Sequence, residues 1–190
     1  MRVASAARFR YAWRMPHSLV TIPVPDLEAV VRPRLERCAP RDVPADPDDT
    51  VAHITLLGPF VGLDGLTDGV VDELSRFFAD VTPFEFSLTG LHEFPGGTVY
   101  LAPSPAAPFR QLTHELVRLF PEHPPYGGAF DEVVPHLTVP ILEGEDLGAL
   151  EFELGPRFPL VTHAFEAALF WWEPGASRTV ATFPFGTSAA

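Results

Sequence analysis

The sequence predicts an α+β fold in which most neighbouring strands run antiparallel. About seven segments have the apolar alternation or the β-branched content of strands, and about three repeat apolar residues with helical spacing. Several strand segments are joined by short turns rich in Gly and Pro, which favours antiparallel hairpins over a doubly wound parallel sheet. Two of the strands also contain the same His-x-Thr triplet, which indicates a molecule of two lobes.

Length and composition fit one globular domain. The chain has 190 residues, of which 46% are hydrophobic, so it can bury a core of its own. No apolar run is long enough for a membrane span, and Cys38 is the single cysteine, so an intramolecular disulfide is excluded. We therefore expect a cytoplasmic monomer without membrane contact.

The charged residues narrow the chemistry. The formal net charge is −12, and all 13 basic residues are arginines. The lack of lysine excludes a lysyl-nucleotide intermediate, a Schiff base and the lysine of a P-loop. An acidic chain is also a poor partner for a long phosphate backbone, so we expect no long nucleic-acid groove. Small substrates, or the end of an RNA, remain as ligands.

The beginning of the chain differs from the rest. Residues 1–14 contain four of the arginines and no acidic residue, which predicts a flexible N-terminal arm ahead of a single domain over 15–190. The arm lacks the apolar core of a secretory signal, and a transit peptide is the alternative interpretation.

The first half of the domain begins with a strand, 17–25, that ends at prolines. A helix follows, and Pro33 should kink it or restart it. A loop rich in Pro and Asp over 39–49 leads to a second strand, 51–57, and then to an amphipathic helix, 69–81.

The second half continues with an alternating strand, 84–90, and a turn with a returning strand over 94–102. A third helix then presents an apolar face, and a long loop rich in Pro and Gly covers 121–134. The remaining predicted strands are 136–141, 163–173 and 178–185.

The two His-x-Thr triplets lie in apolar strands, one in "VAHITLLGPF" and the other in "VPHLTVP". Side chains alternate across a strand, so His53 shares a face with Thr55, and His136 shares a face with Thr138. A single histidine in a strand is ordinarily structural. The second copy, again in an apolar strand and again followed closely by proline, favours a function for both.

Two imidazoles with neighbouring hydroxyls suit proton transfer at a phosphate. Near neutral pH one ring can act as a base and the other as an acid, and each hydroxyl can donate to a phosphoryl oxygen. A metal site is the rival interpretation, but it lacks an evident third and fourth ligand. We therefore expect neither a metal nor a cofactor.

The two motifs and their surroundings resemble the 2′-5′ RNA ligase-like branch of the two-histidine phosphoesterase superfamily. The segments "HITLLGPF" and "PHLTVP" are similar to the paired motifs of that family, and "SLVTIPVP", "PFEFSLTG", "VYLAP" and "FPFG" follow the same order around them. The resemblance covers residues 15–186. It implies a bilobal α+β fold, with mainly antiparallel sheets lining a central cleft and helices packed outside.

The same resemblance implies a metal-independent phosphoesterase. Such an enzyme opens, or reversibly forms, a 2′,3′-cyclic phosphate or a 2′-5′ phosphodiester on RNA ends or small nucleotides, which are then its partners. His53 and His136 become the acid–base pair, and Thr55 and Thr138 bind the phosphate. The alternative is a module that binds nucleotides or RNA ends in the same cleft without turnover, which the scarcity of cationic residues around the motifs favours.

Five further residues are candidates for lining the cleft. Phe60 follows the first motif, and Tyr126 and Phe130 precede the second, so their rings can stack on a base, with ordinary packing as the alternative for each. Arg178 begins the last predicted strand and can counter a phosphate charge. His17 lies on the first strand and can enter the cleft.

Overall fold

One antiparallel sheet organises the fold. The structure, a computed structural model, describes residues 15–130 and 133–186, so the predicted arm over 1–14 lies outside the described residues. The strands are ordered β6-β3-β4-β5-β2-β1-β7-β8, and all neighbours are antiparallel. They are β1 His17–Pro23, β2 His53–Leu57, β3 Phe84–Glu93, β4 Val99–Ser104, β5 Leu137–Thr138, β6 Leu160–Ala164, β7 Glu166–Trp172 and β8 Arg178–Pro184.

Four α-helices complete this part of the chain. They are α1 Glu28–Cys38, α2 Asp68–Ala79, α3 Ala107–Leu119 and α4 Leu147–Leu154. Helix α2 packs against β8 and helix α3 against β2, each through an apolar stripe that is buried. The α+β prediction is therefore confirmed. None of the helices in the described residues is long and apolar enough to cross a bilayer.

The sheet has two halves that meet where β2 pairs with β5. Each half begins at the strand of one His-x-Thr triplet, with His136 immediately before β5, and continues outward through three more strands, as β2-β1-β7-β8 and as β5-β4-β3-β6. At the junction Ile54 is the partner of Leu137, and both side chains are completely buried. This is the bilobal arrangement that the two triplets predict.

The predicted strand 163–173 is wrong, because the segment contains parts of two strands. Strand β6 pairs with β3, whereas β7 pairs with β1, and only Phe165 separates them in the chain. The break is hard to see in the sequence because apolar residues continue on both sides of it. Helix α4 was also not predicted, since its sequence is apolar without a clear helical stripe.

This short connection shows that the sheet is curled. Five strands lie between β6 and β7 in the sheet order, so a flat sheet would hold them about 29 Å apart at the usual strand spacing. A single linking residue spans less than about 8 Å. The sheet must therefore bend into a half-barrel whose two ends approach each other.

Helix α1 contains Pro33 in its interior. Of the two predicted outcomes, a kink or a restart, the helix does not restart there but continues to Cys38. Proline cannot donate its backbone hydrogen bond and crowds the preceding turn. The buried side chains of Val30, Val31 and Arg34 hold the helix against its neighbours, and this packing offsets the cost of the proline.

The two faces of the central strands have different environments. Ile54, Leu56 and Leu137 face the core and are buried, and the hydroxyl of Thr113 on α3 donates to the Leu56 carbonyl at 2.9 Å. The alternate positions, which carry the His and Thr residues of both triplets, are half-buried or exposed. The core therefore fixes the strands, and the other face is left for a ligand.

Candidate active site

The two His-x-Thr triplets open into one cavity of about 340 Å³. Its polar lining includes the four motif side chains, His53, Thr55, His136 and Thr138. A volume of this size lies within the range of small-molecule sites. The structure thus brings together four residues that are far apart in the sequence.

Strand pairing explains why these four side chains converge. Ile54 lies opposite Leu137 in the antiparallel β2–β5 pair, and both point to the core. The pairs on either side of this one are His53 with Thr138 and Thr55 with His136. These four positions share the other face of the sheet, so each imidazole has a hydroxyl beside it on its own strand and another across the strand pair.

Both catalytic candidates are held in the same tautomer. The Nδ1 atom of His53 lies 2.8 Å from the Val51 carbonyl oxygen, and Nδ1 of His136 lies 2.8 Å from the Val134 carbonyl oxygen. A carbonyl only accepts hydrogen bonds, so each Nδ1 must carry the proton. Each ring therefore exchanges protons with a ligand through Nε2.

Burial keeps both rings uncharged when no ligand is present. The pKa of His53 is lowered mainly by burial and further by the neighbouring His136, while the hydrogen bond to Val51 raises it. The pKa of His136 is also lowered by burial, against the hydrogen bond to Val134. Both pKa values therefore lie below the ordinary 6.5, and the neutral forms prevail at neutral pH.

Aromatic rings surround each histidine. The Phe170 ring lies 6.1 Å from the His53 ring. Around His136, the Phe94 and Tyr100 rings pack edge-on at 5.0 and 5.6 Å and stack on each other at 4.0 Å. Sequence reasoning missed all three. For Tyr100 the signal is its place on β4 opposite Thr138, which requires the strand order.

Tyr126 lies in the cavity, as the sequence suggests. Its backbone is in the left-handed region at φ 54°, a strained conformation for a residue with a side chain. Its N–H donates to the Gly58 carbonyl at 2.7 Å, which fixes the loop to the end of the first motif. Burial raises the pKa of Tyr126 to about 12, so the hydroxyl keeps its proton and remains a donor.

The other four candidates lie outside this cavity. Phe60 is buried against Phe120 and His123. Phe130 lines a second cavity of about 300 Å³ that contains none of the motif residues, with its ring edge-on to that of Tyr126 at 5.4 Å. Arg178 is exposed and donates to the Ala176 carbonyl. His17 is buried, 5.3 Å from the Trp172 ring.

The charge of the cavity is unusual for a phosphate site. Among the described residues that line it there is no arginine, and the one acidic side chain is Asp42. Likewise, no group of three or more His, Cys, Asp or Glu residues in the described ranges is arranged to hold a metal ion. A protonated histidine is therefore the positive charge that these lining residues can offer to a ligand.

Arg34 connects the helix above the cavity to the strand of the second motif. Its guanidinium is buried and donates to Glu145 at 2.7 and 3.1 Å, to Glu153 at 2.6 Å and to the Pro140 carbonyl at 3.4 Å. Pro140 lines the cavity two residues after Thr138. Arg34 therefore positions the end of β5.

We expect Arg34→Ala to destabilise the protein by about 3–5 kcal/mol, because it leaves Glu145 without its partner in a largely buried place. Arg34 lowers the pKa of Glu145, so this stability is present above the ordinary carboxyl pKa and is lost as the pH falls through the lowered value. Urea unfolding measures the effect. Arg37→Ala, on the exposed side of the same helix, is the control, and an equal loss there contradicts the assignment.

Comparison with known proteins agrees with this architecture. Residues 23–172 match the profile of the 2′-5′ RNA ligase superfamily. TT0787 of Thermus thermophilus is similar in structure, with a TM-score of 0.60 at 18% identity over 92% of this chain and 100% of its own. Escherichia coli LigT complexed with 3′-AMP gives 0.53 at 15% identity, over 90% and 98% of the two chains. The complex of LigT with NADP+ gives 0.54 at 17% identity, over 90% and 97%. No curated protein matches significantly.

Proposed function

Because the chain belongs to the 2′-5′ RNA ligase superfamily, we propose that it is a phosphoesterase that opens, or reversibly forms, a 2′,3′-cyclic phosphate or a 2′-5′ phosphodiester on RNA ends or small nucleotides. The observation that carries the proposal is the matched pair of histidines. Each is held through Nδ1 by the carbonyl two residues earlier, and both line one cavity.

The proposed reaction uses one ring on each side of the phosphorus. Nε2 of the first ring accepts a proton from water while the water oxygen bonds to phosphorus. The bond from phosphorus to a ribose oxygen breaks on the opposite side, and the second ring, protonated at Nε2, donates its proton to that oxygen. Solvent then returns both rings to their starting states.

The threonines complete the phosphate site in this proposal. The hydroxyls of Thr55 and Thr138 donate to the non-bridging oxygens and hold the phosphorus between the rings. Each lies opposite a histidine across the β2–β5 pair, so a phosphate between the strands meets all four side chains. No metal is required for these steps.

The charge of the cavity supports a small substrate with a single negative charge. A cyclic phosphate carries one charge, which one protonated histidine can balance, whereas a terminal phosphate carries nearly two. The absence of arginine from the described lining residues fits the singly charged cyclic phosphate. LigT has been crystallised with 3′-AMP and with NADP+, which supports a nucleotide ligand for this fold.

The same lack of cationic groups favours a second candidate, a module that binds nucleotide ends without turnover. Product analysis separates the two. Incubation with 2′,3′-cyclic mononucleotides, RNA with a 2′,3′-cyclic end and a 2′-5′-linked dinucleotide should yield ring-opened or cleaved products. Binding of these compounds followed by their recovery unchanged rejects the enzyme and supports the binding module.

The lowered histidine pKa values predict an acidic optimum. The base must be deprotonated and the acid protonated, so kcat/KM falls below the pKa of the base and above that of the acid. Because both pKa values lie below the ordinary 6.5, we expect the maximum of kcat/KM on the acidic side of 6.5. A profile recorded across this range tests it, and a rate that keeps rising into alkaline solution contradicts it.

A further inference from the structure

The cavity contains a carboxylate that the proposed reaction does not use. Asp42 lies between α1 and β2 and lines the same cavity as the two histidines. Its side chain accepts a hydrogen bond from Trp172, another residue of the cavity wall. An acidic group repels the phosphate of a substrate, so we expect Asp42 to face a different part of the ligand.

Asp42 is held in place by the hairpin between β7 and β8. The Gly175 N–H donates to the carbonyl of Arg41, and Nη2 of Arg41 donates to the Pro174 carbonyl at 3.4 Å. The side chain is half-buried. The Arg41 contacts fix the backbone next to Asp42, and the hydrogen bond from Trp172 orients the carboxylate itself, as a group that recognises a ligand requires.

A row of aromatic rings leads from His53 to this carboxylate. Phe170 lies 6.1 Å from the His53 ring. Trp172 follows two residues later on the same face of β7, about 7 Å further along the strand, and hydrogen-bonds Asp42. A nucleoside whose phosphate lies at His53 can place its base along these rings, since bases stack on aromatic side chains.

The chemistry of Asp42 specifies the group that it binds. An ionised carboxylate has about four acceptor positions and no donor, and Trp172 occupies part of this capacity. Burial raises the pKa of Asp42, because water no longer fully solvates its charge. Two N–H donors from a ligand would replace that water, whereas an acceptor facing the carboxylate would be repelled.

We propose that Asp42 determines base specificity and selects guanine; this inference rests on the proposed function for the position of the phosphate. Guanine carries two adjacent donors on its pairing edge, N1–H and the exocyclic N2 amino group, which match the two oxygens of a carboxylate. Adenine and cytosine offer an amino group next to a ring acceptor, and uracil offers one N–H between two carbonyls. The carboxylate therefore favours guanine over all three.

Calorimetry on the His53→Ala variant tests this inference without turnover. The ligands are the 2′,3′-cyclic phosphates of guanosine, adenosine and inosine, the last of which lacks the N2 amino group. We expect guanosine to bind about tenfold or more tightly than adenosine, as for other paired contacts to a base edge, with inosine between them. Asp42→Asn should remove the preference and retain adenosine binding. Asp48→Asn, an exposed residue of the same loop, is the matched control.

Equal affinities for guanosine and adenosine overturn the inference, and so does the absence of measurable guanosine binding. The inference is also overturned if Asp42→Asn weakens the binding of guanosine and of adenosine equally. If that variant does not fold, the comparison of guanosine with inosine still decides. Turnover by the unsubstituted chain tests the proposed function separately. A guanine preference without turnover rejects only the function, and turnover without a preference rejects only the role of Asp42.

Discussion

Replacing His53 or His136 by alanine should lower the turnover of a 2′,3′-cyclic nucleotide by about 10²–10⁴ while the protein stays folded. Each substitution removes the Nε2 atom that transfers a proton on one side of the phosphorus. Neither ring belongs to the buried apolar core, so the sheet should survive. Initial rates measure the effect, and circular dichroism checks the fold.

His163→Ala is the matched control for this pair. His163 lies on β6, largely exposed beside Glu85 at 3.5 Å, and it does not line the cavity. Its removal should leave the rate unchanged. Full activity in either His53→Ala or His136→Ala refutes the acid–base assignment. Activity that disappears on treatment with EDTA refutes the metal-independent reaction.

Removing the threonine hydroxyls should give the second-largest loss of activity. Thr55→Val and Thr138→Val keep the branched shape and delete one donor each, and loss of one donor to a developing charge costs about 10²–10³ in kcat. Because the hydroxyls act in the transition state, we expect kcat to fall more than KM rises. Steady-state kinetics on a cyclic nucleotide separates the two.

The threonine at position 89 provides the control for these variants. Thr89 is exposed on β3, so Thr89→Val makes the same chemical change on a strand away from the cavity. If Thr138→Val raises KM and leaves kcat unchanged, the hydroxyl contributes to binding and not to the chemical step. Equal losses in Thr89→Val and Thr138→Val show a structural effect.

Local patterns in the sequence predicted the centre of the molecule well. The alternation in "HITLL" and "PHLTVP" places the histidines and threonines on one face, and the four side chains line one cavity, although β5 is only Leu137–Thr138 where a strand over 136–141 is predicted. The helical stripes of α2 and α3 were equally visible, because a repeat of 3.6 residues depends only on nearby sequence. These predictions required no knowledge of the strand order.

The periphery of the site could not be predicted in the same way. Asp42, Phe94 and Tyr100 meet the motifs only after the strands have taken their order, and local patterns contain no information on that order. Phe60 is the opposite case, a residue that was predicted to line the cavity but lies outside it. It lies close to the first motif in the chain, yet it is buried in the apolar core. Nearness in sequence therefore suggested a site residue where packing provided a core residue.

The single residue between β6 and β7 has a consequence for how ligands enter. Peptide bonds at Phe165 join the outer parts of the two lobes, and hydrogen bonds between β2 and β5 join their inner strands. Hinge opening of one lobe away from the other would have to stretch one of these two attachments. We therefore expect the entrance to keep a nearly constant width when a ligand binds. A ligand wider than this entrance would then be excluded before any chemistry begins.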